Sequence, residues 1–136
     1  MSEFARRDDI KTILKESQKI AVVGLSDKSY RPSHGVAQYL QSHGYSIFPV
    51  NPGHEKILGE PAYDSVHDIE QPIELVNVFR RPKFVPQHVD EAIEIGANYL
   101  WLQEGVIHQG AAQNARDAGL RVVMDRCMLK EHRKYM

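Results

Sequence analysis

Short apolar runs alternate with amphipathic helical patterns along almost the whole sequence of 136 residues. Five of these runs are rich in Val, Ile or Leu and largely lack charge in the middle, which is typical of parallel strands covered on both faces. The predicted strands are Ile20–Gly24, Tyr45–Val50, Glu74–Phe79, Tyr99–Gln103 and Arg121–Met124. Repeated strand–helix units favour a doubly wound sheet. We therefore expect an α/β protein with a five-stranded parallel sheet and helices on both faces.

Glycines mark the ends of three predicted helices. Gly44, Gly96 and Gly119 each follow the last apolar position of a helical pattern, where a left-handed C-cap is expected. Two further helices are predicted at about 4–16 and 129–135, on either side of a core of about 18–128. The segment 51–73 is irregular, and we interpret it as an elaborated crossover with little helix. No domain boundary is expected, so residues 1–136 are taken as a single domain.

The composition argues against several classes of protein. The formal net charge is −1, so no overall charge attracts nucleic acid or an anionic membrane. No apolar run approaches the roughly 20 residues needed to cross a bilayer. The single cysteine, Cys127, allows no internal disulfide, which fits a reducing compartment. We expect a cytoplasmic protein with neither a nucleic-acid nor a membrane partner.

The stretch from Ile20 to Ser33 predicts a phosphate-binding corner. A buried strand turns at Gly24 into a loop, and Arg31-Pro32-Ser33 opens the next helix. A corner of this kind offers backbone N–H groups and the positive end of a helix, and here it also carries the Arg31 guanidinium. Ser33 is the expected N-cap residue of the helix. We therefore expect this loop to bind a pyrophosphate.

Ligands of doubly wound sheets bind beyond the carboxyl ends of the strands. All five predicted strand ends carry polar residues, glycine or proline, and we expect them to line one rim. They are Gly24-Leu25-Ser26, Val50-Asn51-Pro52, Phe79-Arg80-Arg81-Pro82, Gln103-Glu104-Gly105 and Asp125-Arg126-Cys127.

The common dinucleotide fingerprint is absent from this corner. Ser26 and Ser29 stand where Gly-x-Gly-x-x-Gly requires its second and third glycines, and the second strand ends without the acid that would hold ribose hydroxyls. No strand is followed by the Gly-Lys-Ser/Thr of a Walker loop. The loop is long and carries Lys28 and Arg31, which favours a ligand with more phosphate charge than NAD.

The ordered set Gly24-Leu25-Ser26, Arg31-Pro32-Ser33, Val50-Asn51-Pro52, Gly59 and Asp125-Arg126-Cys127 resembles the small stand-alone CoA-binding proteins. Those proteins are similar to the Rossmann-like CoA-binding domain of succinyl-CoA synthetase α subunits and of ADP-forming acyl-CoA synthetases. The resemblance covers about residues 10–133. It implies a Rossmann-like nucleotide-binding core and coenzyme A, or an acyl-CoA, as the ligand.

The resemblance also implies which residues bind this ligand. The loop would hold the pyrophosphate, and the end of the second strand would flank the adenine and its ribose. The nucleotide or the start of the pantetheine arm would pass the third strand end, and the fourth strand end would border the arm further along. The last strand end would lie on the far side of the cleft. The predicted ligand-binding residues are Gly24, Leu25, Ser26, Lys28, Arg31, Pro32, Ser33, Val50, Asn51, Pro52, Phe79, Arg80, Lys83, Gln103, Gly105, Arg126 and Cys127.

The resemblance carries over binding but not ligase chemistry, since none of the seven histidines falls in a motif that matches the phosphohistidine of the synthetases. We expect a non-catalytic carrier, sensor or regulator of acyl-CoA metabolism, with no catalytic or metal-binding residue. The alternatives are a small NADP- or CoA-dependent enzyme and a synthetase subunit that acts in trans. NADP remains an alternative ligand, because Arg80 and Arg81 could bind its 2′-phosphate as well as the 3′-phosphate of CoA.

The sequence leaves two interpretations open for each of three side chains. Cys127 is a candidate for a mixed disulfide with the CoA thiol or a small buried apolar residue. Glu104 is a possible base or a lone solvated carboxylate. Trp101 is expected in the core, although Trp101 and the leading helix leave room for a homodimer.

Overall fold

The computed structural model describes residues 7–136, so the first part of the predicted leading helix, residues 4–6, lies outside the described residues. The helices are α1 (Arg7–Glu16), α2 (Pro32–Ser42), α3 (Val85–Glu94), α4 (Gln109–Asp117) and α5 (Met128–Tyr135). The strands are β1 (Lys19–Val23), β2 (Ser46–Val50), β3 (Lys56–Ile57), β4 (Glu60–Pro61), β5 (Leu75–Val78), β6 (Tyr99–Leu102) and β7 (Arg121–Val123). No helix within residues 7–136 is long and apolar enough to span a bilayer.

Five strands form one parallel sheet in the order β2-β1-β5-β6-β7. This confirms the predicted doubly wound α/β fold, and each strand begins and ends within one residue of its predicted bounds. The chain runs from β1 outward to β2 and then returns to place β5 on the other side of β1. A switch point of this kind opens a crevice at the carboxyl ends of its two strands, here β1 and β5.

Alternate side chains of the sheet enter two separate cores. On one face, side chains such as Val78 and Leu102 pack against α3 and α4. On the other face, Leu75 and Trp101 pack with side chains of α1, α2 and α5. Trp101 is 0% exposed and donates its indole N–H to the Arg126 carbonyl at 2.8 Å. It is therefore a core residue, as expected, and the homodimer remains a prediction.

The crossover between β2 and β5 contains little helix, as the sequence predicts, but it also contains an unpredicted hairpin. Strands β3 and β4 pair antiparallel around Leu58 and Gly59, which both have positive φ, and a single 3-10 turn spans Val66–Asp68. Tyr63 then attaches this segment to the end of β2, because its N–H donates to the Pro49 carbonyl at 2.9 Å. The crossover is thereby held beside the carboxyl end of the sheet.

A cluster of rings joins α2 to α5. The Tyr39 hydroxyl lies 2.8 Å from His132 Nδ1, and the His43 ring contacts both of these rings. His132 is only 8% exposed, so the charged helix α5 contributes a polar ring to the protein interior. Burial, and secondarily the neighbouring His43, lower the pKa of His132. The cluster fixes α5, whose N-cap residue is Cys127.

Candidate ligand-binding site

A cavity of about 860 Å³ lies at the carboxyl ends of β1, β5 and β6. This volume is in the range of small-molecule binding sites. The lining residues are Gly24, Ser26, Asp27, Lys28, Tyr30, Arg31, Pro32, Ser33, Val36, Asn51, His54, Phe79, Arg80, Arg81, Pro82, Gln103, Glu104, Gly105, Val106 and Cys127. The structure thus brings residues of all five predicted strand ends together at one rim.

Most of the predicted ligand-binding residues line this cavity, and five do not: Leu25, Val50, Pro52, Lys83 and Arg126. The side chains of Leu25 and Val50 pack into the two cores. The Lys83 ammonium lies over the ring of Phe84, 5.1 Å from its centroid. The Arg126 guanidinium donates to the Asp125 carbonyl and lies 3.6 Å from Glu131, so it is engaged outside the cavity.

Gly24 allows the end of β1 to pass close to the end of β5. It has a φ of 83°, and a Cβ atom at this position would lie 2.3 Å from the Phe79 carbonyl oxygen. No side chain fits into that space. The Gly24 N–H donates to the Val50 carbonyl at 2.8 Å, so this amide is used within the sheet rather than offered to a ligand.

The sequence predicts that Ser33 is the N-cap residue of α2, and the structure shows that it is not. Arg31 occupies that position with extended backbone, and Pro32 is the first helical residue. Proline fits the first turn of a helix because its missing N–H would have no partner there. Ser33 Oγ instead accepts the Ser26 N–H at 3.0 Å, which attaches the loop to the helix and occupies another amide expected to bind phosphate.

Groups that can bind an anion at this corner include those of α2 and Arg31. The Ser33 N–H lies in the first turn of α2, where no acceptor within the helix can reach it. The positive end of the helix dipole is at the same place. The exposed Arg31 side chain adds a full charge directly beside these groups.

Asn51 holds the loop in position from the neighbouring strand. Its side-chain N–H donates to the Leu25 carbonyl at 2.9 Å, and its backbone N–H donates to the Tyr63 carbonyl at 2.9 Å. Asn51 lines the cavity, so its predicted contact with the adenine ribose remains a prediction. What the structure assigns to it is the connection between β2, the crossover and the loop.

Cationic side chains outnumber acidic ones at the cavity. Lys28, Arg31, Arg80 and Arg81 line it, and Arg80 is stacked with its guanidinium 4.2 Å from the Phe84 ring centroid. The two acids have basic neighbours, since Asp27 lies 3.8 Å from His54 and Glu104 lies 3.0 Å from Lys130. The expectation that Glu104 is a lone carboxylate is therefore wrong. The hydrogen bond and the charge of Glu104 raise the pKa of Lys130.

Cys127 lies at the N-cap position of α5. It is partly exposed, lines the cavity, and also packs against the core that contains Trp101. Its predicted disulfide with the CoA thiol remains a prediction.

Five lining residues are not predicted from the sequence: Asp27, Tyr30, Val36, His54 and Val106. Val36 could have been found, because it lies three residues after Ser33 and so on the same face of α2. Tyr30 is 76% exposed at the tip of the loop, next to Arg31. His54 reaches the rim only because of the crossover hairpin, and no local pattern in the sequence reveals that placement.

A family model described as a CoA binding domain matches residues 18–133. The chain belongs to this family. This result confirms the resemblance found in the sequence, and it covers every residue that lines the cavity.

Two relatives match this chain over most of their own length. The uncharacterized protein YneT of Bacillus subtilis is 43% identical over 124 residues, which are 91% of this chain and 92% of that protein. The solved structure of a hypothetical protein from Pyrococcus horikoshii OT3 has 41% identity and a TM-score of 0.94, covering 98% of this chain and 94% of that one.

A larger protein contains a related segment. The ADP-forming acetate–CoA ligase I of Archaeoglobus fulgidus is 24% identical over 119 residues, which are 80% of this chain but 17% of the ligase. This chain therefore corresponds to a small part of that enzyme.

Proposed function

We propose that this protein binds coenzyme A, or an acyl-CoA, in the cavity at the carboxyl ends of β1, β5 and β6. We also propose that it acts without catalysis, as a carrier, sensor or regulator of acyl-CoA metabolism in the cytoplasm. The observation that carries the proposal is the cationic cavity at the β1–α2 corner in a chain of the CoA binding domain family.

The charges at the cavity suit the phosphates of coenzyme A. The diphosphate needs N–H donors and a cation together, and the first turn of α2 with Arg31 supplies both. The 3′-phosphate needs a further cation, and Arg80 and Arg81 are available at the end of β5. Arg80 is already ordered by its stacking on Phe84, so less side-chain entropy is lost when it binds.

The rest of the cavity suits the pantetheine arm. Val36, Phe79 and Val106 contribute apolar surface, and Gln103 contributes an amide. A long, flexible chain of methylene and amide groups needs this mixture of apolar wall and neutral hydrogen-bonding groups.

A binding role without catalysis is supported by the exposure of the acids at the cavity. Catalytic acids and bases are usually held in buried surroundings. Glu104 and Asp27 are both about half exposed, and their partners Lys130 and His54 are also open to solvent. The segment that matches this chain is only 17% of the acetate–CoA ligase. Most of that enzyme lies outside the segment, and we do not carry its reaction over.

Isothermal titration calorimetry with CoA, acetyl-CoA, NADP, NAD and ATP tests the proposal. We expect the tightest binding for CoA or acetyl-CoA. Replacing Arg31 with alanine removes a charge-assisted phosphate contact worth about 1.5–3 kcal/mol, which weakens CoA binding by about ten- to a hundred-fold. The matched control is Arg133→Ala, which removes an exposed arginine of α5 outside the cavity and should leave the affinity unchanged.

Two results would overturn the proposal. Tighter binding of NADP, with no competition from CoA, would exclude coenzyme A as the ligand. Release of free thiol from an acyl-CoA during incubation with the pure protein would exclude the non-catalytic role.

A further inference from the structure

Three buried side chains form a hydrogen-bonded row beneath the cavity. Gln103 Nε2 donates to Asn77 Oδ1 at 2.9 Å, and Asn77 Nδ2 lies 3.6 Å from the sulfur of Met128. Asn77 and Met128 are 0% exposed and Gln103 is 3% exposed. The row runs from α5 through β5 to the residue that follows β6.

The sulfur atom fixes the direction of both amides. A thioether can accept a hydrogen bond but has no proton to donate. Asn77 must therefore turn its NH₂ group toward Met128, which leaves its oxygen toward Gln103. Gln103 in turn must present its NH₂ group to that oxygen. If either amide were reversed, two acceptors or two donors would face each other in a dry environment, which is unfavourable.

The side-chain oxygen of Gln103, Oε1, is consequently left to face the cavity. Within residues 7–136, the buried side-chain polar atoms without a partner are Ser17 Oγ and His88 Nε2. Gln103 Oε1 is not among them, although it accepts no hydrogen bond from these residues. It must therefore be accessible, and the open space that Gln103 borders is the cavity.

We propose that Asn77 and Met128 are positioning residues: from within the core they fix the side-chain oxygen of Gln103 toward the cavity, where it accepts a hydrogen bond from an amide N–H of the ligand's pantetheine arm. The proposal rests on the proposed function, since it requires that coenzyme A occupies the cavity. A neutral acceptor at 3% exposure suits a neutral amide, whereas the cations at the rim suit the phosphates.

The test compares CoA with adenosine 3′,5′-bisphosphate, which keeps the adenine and the ribose phosphate but lacks the arm. Dissociation constants are measured by calorimetry for the wild type, Met128→Leu and Met124→Leu. Both substitutions conserve volume at a buried methionine. Met124 belongs to the other core, and no side-chain amide of the described residues donates to its sulfur. Urea unfolding shows that each variant is folded.

We expect Met128→Leu to weaken CoA binding by about two- to ten-fold, the range of one neutral hydrogen bond, because Asn77 and Gln103 can then reverse. Its affinity for adenosine 3′,5′-bisphosphate should be unchanged, and Met124→Leu should bind both compounds as the wild type does. If Met128→Leu does not fold, Gln103→Met is measured in its place. It should weaken CoA binding and leave the affinity for adenosine 3′,5′-bisphosphate unchanged.

The outcomes separate the two proposals. If the wild type does not bind CoA, the proposed function fails and this inference fails with it. If the wild type binds CoA but the variants bind both compounds normally, or lose affinity for both equally, only the inference is overturned. An equal loss would mean that Gln103 contacts the adenine or acts through the fold, and not through the arm.

Discussion

Substitution of Gly24 by alanine tests whether the β1–α2 corner depends on a close backbone approach. Two costs are expected. The φ of 83° disfavours any side chain by about 1–2 kcal/mol, partly offset by the lower entropy of the unfolded alanine chain. The new Cβ would also lie 2.3 Å from the Phe79 carbonyl oxygen, and moving the backbone of β5 away costs about 1–3 kcal/mol more.

Gly44 provides the control for the first cost. Its φ is 92°, and a Cβ atom there would have no neighbour within 4 Å. We expect Gly44→Ala to lower the free energy of unfolding by about 1 kcal/mol and Gly24→Ala to lower it by about 2–4 kcal/mol. The difference between the two variants isolates the contact with Phe79.

The assay is equilibrium unfolding in urea for the wild type and both variants. A shift of the midpoint with an unchanged slope would report a change in stability alone. If Gly24→Ala were within about 0.5 kcal/mol of Gly44→Ala, a difference typical of substitutions without structural consequence, the close approach would not limit the corner. Gly24 would then be explained by its backbone conformation only.

The other predictions concern the loop and the ring cluster. Ser33→Ala should lower the free energy of unfolding by about 1 kcal/mol, because the Ser26 N–H loses its acceptor, and Ser29→Ala in the same loop should have little effect, both measured in urea. Since the folded protein holds His132 at a lowered pKa, stability should be full above pH ~6.5 and fall as the pH drops toward that lower value. Urea midpoints from pH 8 to 5 should show this decline, and His132→Asn should reduce it; a decline that persists would refute the assignment.

The sheet could be predicted because its strands are marked by local features. A strand such as β1 is a short apolar run that ends at a glycine, and the alternation of strands and helices leaves few possible topologies. The family could be recognised for the same reason, since its loop and strand-end residues lie in short stretches of sequence. The strand ends then converge on one rim by geometry alone.

The predictions that failed concern features that depend on contacts between distant segments. Two-residue strands such as β3 are too short to produce a periodic pattern. The core positions of Leu25 and Val50 depend on how the neighbouring strands and helices pack. The bonds of Ser33 to the loop and of Glu104 to Lys130 join segments whose approach the sequence does not reveal.

The location of Trp101 gives the protein a built-in optical reporter. It is the one tryptophan in the sequence, so emission excited at wavelengths that tyrosine absorbs little comes from a single known place. Its indole donates to the carbonyl of Arg126, and the next residue, Cys127, lines the cavity. Unfolding transfers this ring from a dry core into water, and occupation of the cavity changes the surroundings of its hydrogen-bond acceptor. Both the denaturation and the titration experiments can therefore be followed by fluorescence without labelling the protein.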